Sequence, residues 1–278
     1  MIQDIFPHVF HNEFHERSSL PGDLVTVLAG GKTYLTPSGS FPTAAEVKAL
    51  GVEEGDLVYL FEIDQTAFFL LRTIPDAVKA ALAEHGTGVF RNMKPTYLAL
   101  AGATALHLSA WYRSNRFCGC CGGAMERDKV ERAMRCPSCG QIVYPRINPA
   151  VLAAVRHRDK LLLTHYANRP NATRYALVAG FTEIGETLED TVRREVMEEV
   201  HLPIKNIRYH GSQPWGFAGN IMVGFWADLD SEDETVILDR SELDEGVWLS
   251  REEIPVEETP ASLTHTMIQL FRQGKDPQ

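Results

Sequence analysis

No apolar run in this 278-residue sequence approaches the length of a membrane span. The opening Met1-Ile-Gln-Asp-Ile-Phe-Pro7 lacks the basic region and apolar block of a signal peptide. The closing Lys275-Asp-Pro-Gln278 is not a recognised address, so the expected compartment is the cytoplasm. Positive charge is scarce: 27 Lys and Arg face 37 Asp and Glu, a net charge of -10. That balance argues against generic, charge-driven nucleic-acid binding while leaving room for a local basic groove. No internal repeat or low-complexity stretch stands out, and the ten histidines form no metal-ligand spacing. Cysteine is absent outside residues 118–139.

Within that window all five cysteines fall together. Cys118 and Cys121, then Cys136 and Cys139, form two C-x2-C knuckles, each followed by glycine. Two such knuckles supply four converging thiolates, the donor set of a tetrahedral zinc site. Four protein thiolates leave no open position, so this zinc is expected to be structural. A redox pair or disulfide is the competing reading, disfavoured in a reducing cytoplasm. Cys120 lies outside the pattern and reads as a bystander thiol.

Residues 180–202 carry the densest chemistry. Leu188, Val192, Val196 and Val200 recur every four residues, predicting a helix with a narrow apolar stripe. Thr187 is its expected N-cap, with Glu189 and Asp190 in the first turn. Glu195, Glu198 and Glu199 stand at i, i+3 and i+4, on one face beside that stripe. Like charges at those spacings repel by about 0.2–0.5 kcal/mol per pair, a cost without purpose on an ordinary surface helix. As hard oxygen ligands for magnesium or manganese they have one. The bland alternative is an acidic, solvated helix.

This stretch resembles the Nudix box, G-x5-E-x7-R-E-U-x-E-E-x-G-U, where U is apolar. Gly180, Glu186, Arg194, Glu195, Val196, Glu198, Glu199 and Leu202 fit, and His201 stands where the family has its last glycine. Ser212-Gln213-Pro214-Trp215 downstream and the four-cysteine segment upstream are similar to the NADH pyrophosphatase branch of the Nudix hydrolases. That branch continues with Pro-Phe-Pro-x-Ser; here Gly216-Phe217-Ala218-Gly219-Asn220 keeps only the phenylalanine, which is expected to loosen the loop and puts specificity in question.

The resemblance implies hydrolysis of the pyrophosphate bond of NADH or NAD to AMP and the nicotinamide mononucleotide, and with it removal of NAD caps from RNA. It implies magnesium or manganese on Glu195, Glu199, the Ala179 carbonyl and Glu242, with Glu198 as a further ligand or a base. Arg194 would orient the carboxylates. Tyr144, Phe181, Gln213, Trp215 and Phe217 are the expected substrate residues; for Tyr144, Phe181 and Trp215, core packing is the competing fate. A homodimer is implied as well. ADP-ribose hydrolysis is an enzymatic alternative, and a nucleotide-sensing module without catalysis is the rival from another class.

The expected fold is α/β (α+β): an N-terminal α+β domain over 1–113, a zinc ribbon over 114–145 and a Nudix α/β/α sandwich over 146–278. In the first domain, hairpins are expected for Leu24–Leu28 with Thr33–Leu35 and for Leu57–Ile63 with Ala67–Leu71. Helices are expected from Thr43 to Gly51, from Asp76 to His85 and from Thr96 to Tyr112. No chemical constellation is visible there.

Overall fold

The computed structural model describes residues 1–167, 175–257 and 262–277. It divides into two compact units: Ile2–Arg146 with Gly216–Gly219, and Met1 with Ile147–Trp215 and Asn220–Gln278.

The first unit centres on the antiparallel pair Leu57–Ile63 and Thr66–Leu71, an almost unbroken apolar run in both strands. Phe10–His11 pairs with one side of it and Leu24–Thr26, in parallel, with the other. The expected first hairpin is therefore split. Leu24–Thr26 leaves for the central sheet, and only Leu28–Ala29 turns back onto Lys32–Leu35. Thr43 and Glu46 form the expected capping box on helix Ala44–Ala49.

The helix expected to reach His85 stops at Ala81. Ala83–Gly86 instead pairs antiparallel with Lys32–Leu35, setting His85 opposite the buried Thr33. Cross-strand backbone hydrogen bonds to an otherwise open strand replace the last helical turns, an exchange that local propensity cannot reveal. The long helix Thr96–Ser114 follows, burying Leu98, Leu100, Leu108 and Trp111.

In the second unit the strands are β1 (Asn148–His157), β2 (Lys160–Tyr166), β3 (Val178–Phe181), β4 (Ile204–Trp215), β5 (Asn220–Leu229) and β6 (Leu243–Ser250). The helices are α1 (Leu188–Val200) and α2 (Leu263–Arg272). The sheet order is β4–β5–β1–β2–β6, with β3 also paired to β1. Only β1 and β5 run parallel. Ala150–Val155 of β1 is buried throughout, as a central strand covered on both faces requires. Val151, Ala153 and Val155 point into a cluster with Val192, Val196 and Val200 of α1. Leu152 and Ala154 point the other way, into a cluster with Leu263, Met267 and Phe271 of α2. Alternation along one strand thus gives the α/β/α layering.

Thr187 caps α1 as expected, its Oγ1 accepting the Asp190 amide at 3.1 Å. His201 ends the helix with φ 55° and ψ 38°, the left-handed conformation. Its amide donates to the Met197 carbonyl at 3.1 Å, and its Nδ1 lies 3.0 Å from the Ile237 carbonyl. The left-handed backbone costs a residue with a Cβ about 1 kcal/mol, and the ring contact returns about as much. His201→Gly is accordingly expected to change stability by no more than about 1 kcal/mol in thermal unfolding. A loss well beyond that would give the ring contact far more weight than an exposed hydrogen bond carries.

Candidate active site and zinc-binding cysteines

The apolar stripe of α1 faces the sheet and carries Glu199 with it. Glu199 is 2% exposed, and neither of its carboxylate oxygens has a hydrogen-bond partner. Burial, followed by the negative charges of Glu242 and Glu195 and, more weakly, of Asp239, pushes its pKa up to about 8. The Ala179 amide acts in the opposite sense without reaching hydrogen-bond geometry. Glu195 is also raised, by burial first, against the pull of Arg194. Both carboxylates lie in the negative field of neighbouring acids, and Glu199 has no hydrogen-bond partner to offset it.

Arg194 occupies the other side of the group. Its Nε and Nη2 grip Glu186 at 2.6 and 3.0 Å, a bidentate pair. Nη1 reaches Glu195 at 2.8 Å and Glu198 at 2.9 Å, and Nη2 also donates to the Phe181 carbonyl at 2.9 Å. Glu186 further accepts from the Glu183 amide and the Thr191 hydroxyl. Arg194 first, then the Glu183 amide, hold Glu186 down at about 2, while Arg194 itself is raised by Glu186. One guanidinium therefore ties the loop 181–186 to the acidic face of α1. Gly180 allows the close fit, because a Cβ there would lie 1.9 Å from the Glu195 Cδ.

The cysteines lie in the first unit, on loops joined to three short strands, Glu126–Arg127, Met134–Arg135 and Ile142–Val143. The two knuckles repeat one hydrogen-bond pattern. Cys118 N donates to Gly123 O and Gly122 N to Cys118 O; Cys136 N donates to Gln141 O and Gly140 N to Cys136 O. Gly122 and Gly140 both take positive φ to close these turns. The Sγ atoms of Cys118, Cys121, Cys136 and Cys139 all lie within 4.8 Å of one another, with Cys118–Cys139 at 3.6 Å and Cys121–Cys136 at 3.5 Å. A disulfide needs about 2.05 Å, whereas zinc at about 2.3 Å from each sulfur spreads tetrahedral thiolates to about 3.8 Å. The amides of Cys121 and Cys120 pull the Cys118 thiol down to about 6, and the Cys139 amide lowers Cys136 against its burial. Cys121 and Cys139 are raised instead, against the Gly123 and Gln141 amides, by the neighbouring thiols, so the four thiols share their protons unequally. Cys120 is exposed and outside the group, with Sγ 3.5 Å from the Gln141 side chain.

Residues 146–271 match the family described as NUDIX domain, and residues 113–144 match the NADH pyrophosphatase zinc ribbon domain. The chain carries a Nudix domain. The four clustered cysteines are its zinc ribbon, a structural zinc site. Among curated proteins, the chain is 41% identical over 170 residues to the NAD-capped RNA hydrolase NudC of Enterobacter sp. (strain 638). It is 40% identical over 170 residues to the protein of the same name from Salmonella schwarzengrund (strain CVM19633). Each match covers 61% of this chain, and 64% and 65% of the respective relatives. A crystal structure of a NUDIX hydrolase from Nitrosomonas europaea aligns with a TM-score of 0.49 at 24% identity, covering 57% of this chain and 91% of that one.

Within the Nudix domain the structure brings Glu186, Arg194, Glu195, Glu198 and Glu199 together, with Ala179 and Phe181 on β3 beside them. Glu242 is exposed and adjoins the group through its charge on Glu199 and Glu195. The Phe181 ring is 54% exposed, available for stacking. Asp239 was not foreseen: its amide donates to the Glu199 carbonyl at 2.9 Å, and its charge adds to the field on that carboxylate. Its position three residues before Glu242 was the available signal.

Of the other expected substrate residues, Gln213 and Trp215 belong to β4, and Tyr144 and Phe217 belong to the first unit. Gln213 is 1% exposed, and its Oε1 accepts the Leu263 amide at 2.7 Å, so it holds the first turn of α2. Trp215 ends β4, paired with Asn220. Phe217 groups with the first unit, its ring 5.0 Å beneath the Arg91 guanidinium. Gly216 beside it fits tightly, since a Cβ would lie 2.1 Å from the Ala103 carbonyl oxygen; close approach, more than looseness, accounts for that glycine. Tyr144, also in the first unit, is 53% exposed and donates its hydroxyl to Glu131 at 2.7 Å.

Proposed function

We propose that this chain hydrolyses the pyrophosphate bond of NADH or NAD, giving AMP and the (reduced) nicotinamide mononucleotide, and acts likewise on the NAD cap of RNA. The observation that carries the reading is Glu199, a buried carboxylate without a partner beside two further carboxylates. A divalent cation is the complement such a group lacks. Glu195, Glu199, Glu242 and the Ala179 carbonyl would hold magnesium or manganese, hard ions suited to oxygen donors. When bound, the ions would shield the phosphate charge and acidify coordinated water.

The chain's own residues supply the remainder. Arg194 fixes Glu195 and Glu198 in place. Glu198 has half its side chain open to solvent and one oxygen on Arg194, leaving the other to take the proton of the attacking water. Water adds its oxygen to one phosphorus, the bridging oxygen leaves with the other phosphate, and two phosphomonoesters result. Phe181 offers a face for a base. The relatives' printed name, NAD-capped RNA hydrolase, supports the choice of dinucleotide.

The reading places residues 1–113, 114–145 and 146–278 in three domains and the protein in the cytoplasm as a homodimer. Among the described residues, no helix is long and apolar enough to cross a membrane. Sedimentation of the zinc-loaded protein tests the dimer.

Chromatography and mass spectrometry of zinc-loaded protein incubated with NADH, NAD, ADP-ribose or an NAD-capped oligoribonucleotide test the substrate. Expected are AMP with the matching mononucleotide, and a 5′-monophosphate on the oligoribonucleotide. Cleavage of ADP-ribose alone would overturn the assignment. Gly180→Ala is expected to displace Glu195 and lower turnover by about 10²-fold, at a stability cost of about 1–3 kcal/mol. Unchanged turnover in that variant would remove the Glu195 position from the mechanism.

A further inference from the structure

The first unit contains a groove of about 800 Å³, bounded by the central strand pair, helix Thr96–Ser114 and the zinc-binding segment. Its lining includes five cations, Arg72, Lys79, Arg113, Arg116 and Arg127, and no Asp or Glu. In a chain of net charge -10, that separation of sign is a local feature requiring its own explanation. Lys79 has a loose contact with Asp76 at 3.6 Å. Among the described residues, no carboxylate lies within ion-pair distance of Arg72, Arg113, Arg116 or Arg127. Elsewhere in the same unit, Arg17 pairs with Asp23 and Glu62 and Arg135 with Asp128, while Arg132 donates to Asn12 and to the Leu60 carbonyl. The floor is apolar, with Val58, Leu70 and Met134. On the rim, the Phe117 ring is 66% exposed, with the Arg116 guanidinium 5.9 Å from its centroid.

We propose that this groove binds single-stranded RNA, its arginines on successive phosphates and Phe117 as a stacking face for a base. A cationic groove with an exposed ring is the arrangement that holds single strands without reading their sequence. The charges come from separate elements: the end of strand Thr66–Leu71, helix Asp76–Ala81, the end of helix Thr96–Ser114 and strand Glu126–Arg127. A lone phosphate engages one or two cations at a point, whereas a sugar-phosphate chain presents a charge at each nucleotide and uses a distributed set. The apolar floor beneath them suits bases turned away from water. The proposal rests on the hydrolase reading above for its RNA substrate and extends it from the cap to the chain behind it; its binding test is independent of catalysis.

The test is fluorescence anisotropy of full-length, zinc-loaded protein with an uncapped 5′-hydroxyl oligoribonucleotide of about 12 nucleotides, without divalent cation, over a salt series. The double variant R113E/R116E is expected to bind about tenfold more weakly or worse at low salt and to flatten the salt slope by about 1.4, for two lost phosphate contacts. R113K/R116K should retain most of the binding, because lysine keeps the charge. R158E/K205E makes the same change in net charge on exposed residues of the Nudix domain and should leave binding unchanged. NAD turnover should be equal in all of these, while the KM for NAD-capped RNA rises in R113E/R116E alone.

Equal RNA affinity in R113E/R116E, or an equal loss in R158E/K205E, would overturn the proposal. So would wild-type protein that holds ADP in the groove but no oligoribonucleotide, which would make it a small-nucleotide pocket. RNA binding without NAD turnover would remove the hydrolase reading and leave the groove standing. NAD turnover without RNA binding would do the reverse.

Discussion

Glu199→Gln is expected to lower pyrophosphate hydrolysis by about 10²–10³-fold, the usual cost of removing one group that stabilises developing charge, while making the metal-free protein more stable at neutral pH. The two effects share one cause. Glu199 is buried beside Glu242 and Glu195 with no partner of its own, and its folded-state pKa is about 8 against an ordinary 4.5. Below about pH 4.5 both folded and unfolded chains hold the proton, and Glu199 costs nothing. As pH rises toward 8, the unfolded chain releases that proton while the folded chain keeps it. Stability therefore falls across this window, by on the order of a few kcal/mol, and the penalty is complete above it. Glutamine carries no charge to bury. In chelator-treated protein, the variant's gain in Tm should be near zero at pH 4.5 and largest at pH 8. In magnesium or manganese the wild type should recover that deficit, because the ion supplies the missing counter-charge. A gain independent of pH, or full turnover in the variant, would contradict the role given to Glu199.

Cys136→Ser should release zinc and unfold the ribbon. Cys136 and Cys118 are buried, and the strands they anchor are two residues each. So short a sheet has little apolar area of its own, and structural zinc supplies about 10–16 kcal/mol of apparent binding energy in comparable peptides. Metal content by mass spectrometry should fall from one zinc per chain toward zero. Hydrogen exchange should lose protection around Met125 and Met134, both buried here. Cys120→Ser should retain zinc and protection, since that thiol is exposed and outside the group. Zinc kept in Cys136→Ser, or lost in Cys120→Ser, would mean the four ligands are wrongly chosen.

Local signals in the sequence suffice where local physics decides. Thr187 as N-cap and the valine stripe both follow from helix geometry, and both are present in α1. The knuckle glycines likewise close turns that any C-x2-C pair requires. What escaped depends on distant partners. Ala83–Gly86 is a strand because Lys32–Leu35 offers it an edge, and Leu24–Thr26 runs parallel to Thr66–Leu71 instead of joining the adjacent hairpin. Gln213 is an expected substrate residue by its motif, and the hydrogen bond from the Leu263 amide to its side-chain oxygen, fifty residues away, has no signal in the sequence. The raised pKa of Glu199 is equally invisible in sequence, because it arises from burial and from carboxylates at positions 195, 239 and 242 converging in space. The five-cation groove combines residues from positions 72 to 127.

In the proposed reaction the acidic face of α1 holds a divalent ion and the chain cleaves a dinucleotide. Its most direct test is quantitation of both products from NAD, with wild-type and Glu199→Gln protein, in magnesium, in manganese and in chelator. AMP and nicotinamide mononucleotide in equal amounts, formed by wild type only with divalent metal and nearly lost in the variant, are the predicted result. Tight NAD binding with no product under any of these conditions would contradict it and make the domain a nucleotide sensor.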